Sequence, residues 1–338
     1  MAFDLRTPAA ALSYVTRKWR VGCNSGGVAR VGLVLGGGGM TGTAFHAGVL
    51  EALARHGWDA RDASVIVGTS AGSTSAALLR AGFPPTDYVA RMTGAPVSEE
   101  GAAVLDRIGR VPAAPKRRSG PLRPASPALL RSIARAPWRY PLGVHAAAAL
   151  PAGTVGIAEV SPGFGPLFHH WPTAPTWITA VRLDTGTRVA FGRPGSPPAT
   201  LPDAVSASCS IPGYFRPVDI DGVAYVDGGA WSVHHADLLV GQRLDAVVVS
   251  APLSTADWLA PELGAIPRLP IRRQLEKELQ PLRAAGVPVL VVQPDRRLRG
   301  LMGLNSMDIR KRPTVAQAAH VMADRVICAH PDLLRVLR

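Results

Sequence analysis

Ser64-Val65-Ile66-Val67-Gly68-Thr69-Ser70-Ala71-Gly72-Ser73-Thr74-Ser75-Ala76-Ala77-Leu78-Leu79-Arg80 is the stretch that decides the fold. Its first four residues form a short β-branched run of the kind that is buried on both faces of a parallel sheet. Gly68 to Gly72 is too small and too flexible to continue a strand and predicts a tight turn. Ser73 to Arg80 then predicts a helix. Within the turn, Ser70 occupies the centre of a G-x-S-x-G pattern between strand and helix. A nucleophile there needs small neighbours, Gly68 and Gly72, because the backbone bends sharply and extra Cβ atoms would collide. Its hydroxyl would stand at the carboxyl end of the sheet beside helix amides that favour negative charge. An ordinary glycine-flanked helix cap is the competing reading of Ser70.

Upstream, Val31 to Leu35 repeats the plan. This apolar run is followed by Gly36-Gly37-Gly38-Gly39-Met40-Thr41-Gly42 and a helical stretch from Ala44 to Leu53. Successive glycines let backbone amides gather around an anion, whether a phosphate or the oxyanion of a tetrahedral intermediate. Gly37, Gly39 and Gly42 also satisfy G-x-G-x-x-G, with Asp59 or Asp62 near the acidic position of a dinucleotide site. A P-loop is excluded, since Thr43 stands where a Lys is required.

Downstream, Trp177 to Val181, Ala224 to Val226, Ala246 to Ser250 and Val287 to Val292 predict further strands, with a helix over Arg272 to Ala285. The alternation predicts an α/β fold: a central, mainly parallel sheet covered by helices in three layers. Asp227-Gly228-Gly229 directly follows the strand ending at Val226, which exposes the carboxylate to the adjoining cleft. Taken alone, an ordinary Asp-Gly turn is the favoured explanation. Residues 107–158 hold nine basic residues and no Asp or Glu, with scattered prolines, and predict a basic Pro/Arg-rich insertion or lid. The expected organisation is a lead-in over 1–29 and a catalytic domain over 30–240 with the insertion at about 96–162. Residues 241–338 would complete the same domain.

The 338 residues are 47% apolar and 18% charged, which suits a folded globular chain. The net charge is +13, and only Lys18, Lys116, Lys277 and Lys311 among the 37 basic residues are lysines. Arginine binds phosphate through a planar fork, which suits phospholipid head groups or nucleic acid. Cys23, Cys209 and Cys328 are distant and odd in number, against a disulfide framework. Asp4 and Arg6, followed only by the short apolar stretch Ala9 to Val15, are too weak a pattern for a secretory signal. A cytoplasmic protein, peripherally bound to membrane at most, is expected.

The three motifs, in this order, resemble those of the patatin-like phospholipases. Ala207-Ser208-Cys209-Ser210-Ile211-Pro212-Gly213-Tyr214-Phe215-Arg216-Pro217-Val218 strengthens the likeness, with small residues, then Ile-Pro, then an aromatic and Pro. The resemblance covers residues 30–95 and 175–235 well and the rest loosely. It implies a lipid acyl hydrolase with a Ser70–Asp227 dyad. Gly37, Gly38 and Gly39 would form the oxyanion hole, supported by Gly42, Gly68, Gly72, Gly228 and Gly229, with no cofactor or metal. Thr41 departs from the family, which usually carries Arg or Lys there. The alternatives are a catalytically silent lipid-binding protein of the same fold and a dinucleotide-dependent oxidoreductase. His46, His234 or His235 could instead complete a Ser-His-Asp triad, while His169 and His170 read as surface residues. The expected partners are a lipid ester and an anionic membrane touched through the insertion. In the insertion, Leu129, Leu130, Ile133 and Ala134 form an apolar face beside Arg131 and Arg135, which suits either a bilayer interface or a solvated basic cover over the cleft. Nucleic acid is a less favoured match to the same charge.

Overall fold

The computed structural model describes residues 29–109, 123–157, 163–256 and 265–337. Cys23 and most of the expected lead-in fall outside these, as do Arg110 to Arg118 of the basic insertion. One eight-stranded sheet forms the centre: β1 (Val31–Leu35), β2 (Val65–Gly68), β3 (Thr176–Arg182), β4 (Arg188–Phe191), β5 (Val218–Ile220), β6 (Val223–Asp227), β7 (Ala246–Ser250) and β8 (Val289–Val292). The order is β5-β6-β3-β2-β1-β7-β8, with β4 also on β3. β8, β7, β1, β2 and β3 run parallel, while β4 and β6 pair antiparallel with β3.

Eleven helices surround the sheet among the described residues: α1 (Gly39–Arg55), α2 (Ala71–Arg80), α3 (Tyr88–Thr93), α4 (Glu99–Asp106), α5 (Pro127–Arg135), α6 (Leu142–Ala149), α7 (Leu201–Ser208), α8 (Leu269–Ala284), α9 (Arg296–Met302), α10 (Arg312–Cys328) and α11 (Pro331–Leu337). Every residue of β1, β2 and β7 is buried, as two-sided cover demands. Alternation sorts their side chains. Leu33, Ile66 and Val248 pack with Phe45, Leu50 and Ala319 from α1 and α10, whereas Val34, Val67 and Val247 pack with Leu275 and Leu279 of α8. A smaller cluster joins Leu129 and Ile133 of α5 and Val144 of α6 to Val181 and Val226. The described part of the insertion is therefore helical cover over the edge of the sheet where β3 meets β6.

The register around β3 has a consequence for the site. Ile178 pairs with Gly68 on one edge and Phe191 on the other. Ala180 pairs with Asp227 and Val189. Since β4 occupies the edge it shares with both residues, β2 and β6 lie end to end along the opposite edge. β2 runs up to Gly68 and β6 runs down to Asp227, so the two chains meet head-on across Thr179 and must both turn away. Ser70 and Asp227 sit in those two turns.

Candidate active site

The turn after β2 is tight enough to force Ser70 to φ 51°, ψ −118°, a strained conformation for any residue with a Cβ. Such strain costs on the order of 1–3 kcal/mol and persists only where surroundings enforce it. They do so here. A Cβ on Gly72 would lie 1.8 Å from the Leu35 carbonyl oxygen, and one on Gly68 would press within 2.8 Å of Ser73 Cα. The turn is wedged between β1 and its own helix. The hydroxyls of Thr69 and Thr179 bond at 2.8 Å and hold it to β3. The side chain of Ser70 caps nothing in α2, which removes the helix-cap reading of that residue.

Asp227 ends β6, and its Oδ1 accepts from the Gly229 N–H at 2.7 Å. Gly228 is required on the other side, because a Cβ there would meet Thr179 Oγ1 at 2.5 Å. Ser70 and Asp227 are 7% and 5% exposed. Burial pushes the Asp227 carboxyl up to about 6, while the Gly229 N–H and the Ser70 hydroxyl oppose the shift by favouring the anion. The segment after α7 ties the two together. Ser208 Oγ accepts from the Ser70 N–H at 2.9 Å, and the Ser210 carbonyl accepts from the Asp227 N–H at 2.9 Å. Between them, Cys209 Sγ lies 3.6 Å from Ser73 Oγ, and burial raises its thiol to about 11. This small-residue segment stands out in the sequence but its task does not, because it depends on contacts 138 and 17 residues away in the chain.

The glycine loop faces the same turn, and a Cβ on Gly37 would touch the Ser70 Cβ at 3.5 Å. Of the three amides expected to face an oxyanion, that of Gly37 donates to the Val233 carbonyl at 2.9 Å. Those of Gly38 and Gly39 have no acceptor among the described residues. Neither has the N–H of Ala71, the residue after the serine, a donor that the glycine motif does not mark. Gly39 adopts φ +60°, with Ser306 O only 2.9 Å from where its Cβ would be.

Two of the three candidate histidines are engaged elsewhere, and both ring nitrogens of the third, His234, are buried without a hydrogen-bond partner among the described residues. His46 Nε2 bonds to the Gly36 carbonyl at 2.7 Å and Nδ1 to Ser250 Oγ at 2.8 Å. His235 Nε2 donates to the Gly228 carbonyl at 3.1 Å, with Arg188 at Nδ1. Burial lowers both to about 4 and His234 to about 3, so all three are neutral. None bonds to Ser70 or Asp227 among the described residues. His169 and His170 are exposed. The dinucleotide reading fails on position: Asp59 and Asp62 precede β2 instead of following it, and Asp59 is bound to Arg61.

A family model for patatin-like phospholipases matches residues 33–239, which include every element of this site. The chain belongs to the patatin-like phospholipase family. Membership places it among lipid-ester hydrolases in general. No curated protein matches it. The crystal structure of VipD from Legionella pneumophila is similar with TM-score 0.42 and 10% identity, covering 90% of this chain and 67% of that one. The type III effector ExoU gives TM-score 0.37 and 16% identity, over 89% and 53%. The ExoU–SpcU complex from Pseudomonas aeruginosa gives 0.33 and 20%, over 89% and 52%. This patatin-like chain thus spans between half and two thirds of the length of those structures.

In this patatin-like chain the elbow glycines are steric requirements. Gly72→Ala is expected to destabilise the fold by at least about 3 kcal/mol, since its Cβ would overlap backbone that cannot yield. Chemical denaturation of that variant beside Gly229→Ala, whose added Cβ meets only the Asp227 carboxylate at 3.0 Å, checks this. Similar stabilities would refute it. One group of metal-type side chains occurs among the described residues: His56, Asp324 and Cys328, with ligand atoms within 4.8 Å of one another. It lies at the opposite end of α1 from the glycine loop, roughly 25 Å away along the 17-residue helix.

Proposed function

We propose that this protein hydrolyses carboxylic esters of lipids through a Ser70–Asp227 dyad. The head-on meeting of β2 and β6 across Thr179 carries the reading, because it brings a strained, uncapped serine beside a buried carboxyl. Ser70 Oγ attacks the ester carbonyl while Asp227 takes the hydroxyl proton. The carbonyl oxygen gains negative charge and accepts from the amides of Gly38, Gly39 and Ala71. Collapse expels the alcohol, which recovers the proton, and water then cleaves the acyl-enzyme by the same route. A carboxylate of pKa about 6 is a better match to this proton transfer than an exposed one near 3.9. Treatment with a fluorophosphonate should phosphonylate Ser70 alone, read by peptide mass spectrometry. An unlabelled protein would favour a silent lipid-binding role, and an adduct elsewhere would move the nucleophile.

The natural substrate is reached at a membrane, and the insertion supplies the contact. Leu129 and Ile133 are buried against Val181 and Val226, so the apolar face of α5 serves the core and does not enter lipid. What remains exposed is Trp138 at 80% and Leu142 at 85%, beside the exposed Arg131, Arg135 and Arg139. An aromatic and a leucine among arginines suit an anionic bilayer surface. Each arginine contributes about 1 kcal/mol there, so reversing all three charges should weaken binding to anionic vesicles on the order of a hundredfold or more. Sedimentation with vesicles at rising salt, with duplex DNA as competitor, tests this. Salt-insensitive binding, or preference for DNA, would refute it.

No helix among the described residues is long and apolar enough to cross a membrane.

A further inference from the structure

The glycine loop is held from the side of β6. Gly37 donates to the Val233 carbonyl at 2.9 Å, and the amides of Gly38 and Gly39 follow directly, so their aim depends on where Val233 stands. Residues 231–235 belong to no helix or strand that would fix that carbonyl. His234 packs against the loop so closely that a Cβ on Gly36 would meet its Cδ2 at 2.7 Å. Its ring is fully buried and neither nitrogen has a partner among the described residues, so no hydrogen bond of the imidazole holds the segment in place.

Glu278 of α8 does that from outside. Its Oε1 accepts from the Ser232 hydroxyl, and its Oε2 accepts from the Ala236 N–H at 2.8 Å. Ser232 Oγ in turn accepts from the N–H of His234 at 3.2 Å and of His235 at 3.3 Å. The backbone on both sides of Val233 and His234 is thereby drawn onto one carboxyl group. Gln274, one turn earlier on α8, adds a bond from its Nε2 to the Trp231 carbonyl at 3.0 Å. This clamp holds His235 at φ 58°, a left-handed conformation that a residue with a Cβ keeps only where its surroundings impose it. Glu278 is 9% exposed and makes no ion pair among the described residues, since the nearby Arg188 is paired with Asp237. Burial pushes its carboxyl up to about 7, while Ser232 and Ala236 oppose the shift by favouring the anion. A carboxyl buried without a cation costs stability, so its role lies in the geometry it imposes.

We infer that Glu278 and Ser232 are positioning residues for the oxyanion loop, placing the Val233 carbonyl that fixes Gly37 and with it the aim of the Gly38 and Gly39 amides. The inference rests on the ester-hydrolase reading for its chemistry. Glu278 lies beyond residue 239, where the family model ends, so the C-terminal third of the chain takes part in the site as well as covering the sheet. Oxyanion donors act on charge that develops only in the transition state. Loosening the clamp should therefore lower kcat and leave KM near its original value.

Kinetics and hydrogen exchange test this together. Ser232→Ala and Glu278→Leu should each lower kcat for a soluble p-nitrophenyl ester about tenfold or more, with KM changed by less than about twofold. Glu278→Gln keeps the side-chain length and an acceptor for the Ala236 N–H, and should lower kcat only about threefold. Leu282→Ala, in the core one turn further along α8, is the control for loosened packing and should keep kcat within about twofold where it is folded. Amide exchange in peptides spanning residues 36–42, read by mass spectrometry, should quicken about tenfold in Ser232→Ala and Glu278→Leu, while β1 and β2 keep their protection. Ser232→Ala removes only a hydroxyl and keeps the test valid if Glu278→Leu unfolds. An unchanged kcat in Ser232→Ala overturns the inference and leaves the hydrolase reading intact. So does a loss that Leu282→Ala matches, or a loss without faster exchange in the loop. If the unaltered protein cleaves no ester while exchange in the loop quickens, the hydrolase reading fails and the hold of Glu278 on the loop stands.

Discussion

Ser70→Ala is expected to lower kcat/KM for a soluble p-nitrophenyl ester by about 10⁴-fold or more, with the fold intact. That loss corresponds to roughly 5.5 kcal/mol of transition-state stabilisation. The nucleophile is the group whose removal abolishes the covalent route, leaving only the amides of Gly38, Gly39 and Ala71 to polarise a carbonyl for attack by water. The fold should survive because the contacts that shape the elbow do not use the Ser70 hydroxyl. The Ser70 N–H to Ser208 bond is made by backbone, and the wedge against Leu35 is made by Gly72. Thermal melting of the variant should fall close to that of the unaltered protein. Turnover above about a tenth of the original would show that another residue attacks the ester.

The sheet was legible because its central strands carry their own signal. Val65 to Val67 and Ala246 to Val249 are β-branched runs bounded by turns, and two-sided burial requires such runs. β4 was not legible: Arg188-Val189-Ala190-Phe191 lies at a half-exposed edge, and its pairing with Ile178 to Val181 is set by tertiary contact. The site was legible where sterics act locally. Gly68 and Gly72 stand out because a bent elbow admits nothing larger. The burial of Asp227 was not legible, because it arises from the end-to-end placement of β2 and β6, a long-range register. The engagement of Gly37 by Val233 and the availability of the Ala71 amide depend on the same packing and left no trace in the motif. The amphipathic look of α5 was real, but periodicity identifies an apolar face without saying what covers it.

Asp227→Asn should lower kcat/KM by about 10³-fold and yet make the protein more stable at neutral pH. The amide keeps the size of the carboxyl and can accept from Gly229, but it cannot take the serine proton. The gain in stability follows from the sign of the shift. Burial raises the folded-state pKa from 3.8 to about 6, so the buried carboxyl favours folding only while protonated. That contribution is complete below about 4 and is lost as pH rises through about 6, at a cost on the order of 3 kcal/mol by pH 7. Asparagine never ionises and escapes it. The variant should therefore melt above the unaltered protein at pH 7.5, with the difference vanishing near pH 4. For the unaltered enzyme, kcat/KM should fall tenfold per pH unit below about 6, as the base becomes protonated. His234→Ala and His235→Ala act as controls, each retaining more than about a tenth of the turnover if neither histidine takes the proton. A histidine variant as inactive as Asp227→Asn at unchanged melting temperature would replace the dyad with a triad. An Asp227→Asn protein that is inactive because it is less stable would remove the case for Asp227 as the base. Loss of turnover together with a gain in stability is the outcome a buried catalytic carboxylate requires, whereas a buried Asp227 with a purely structural role would give the gain in stability without the loss of turnover.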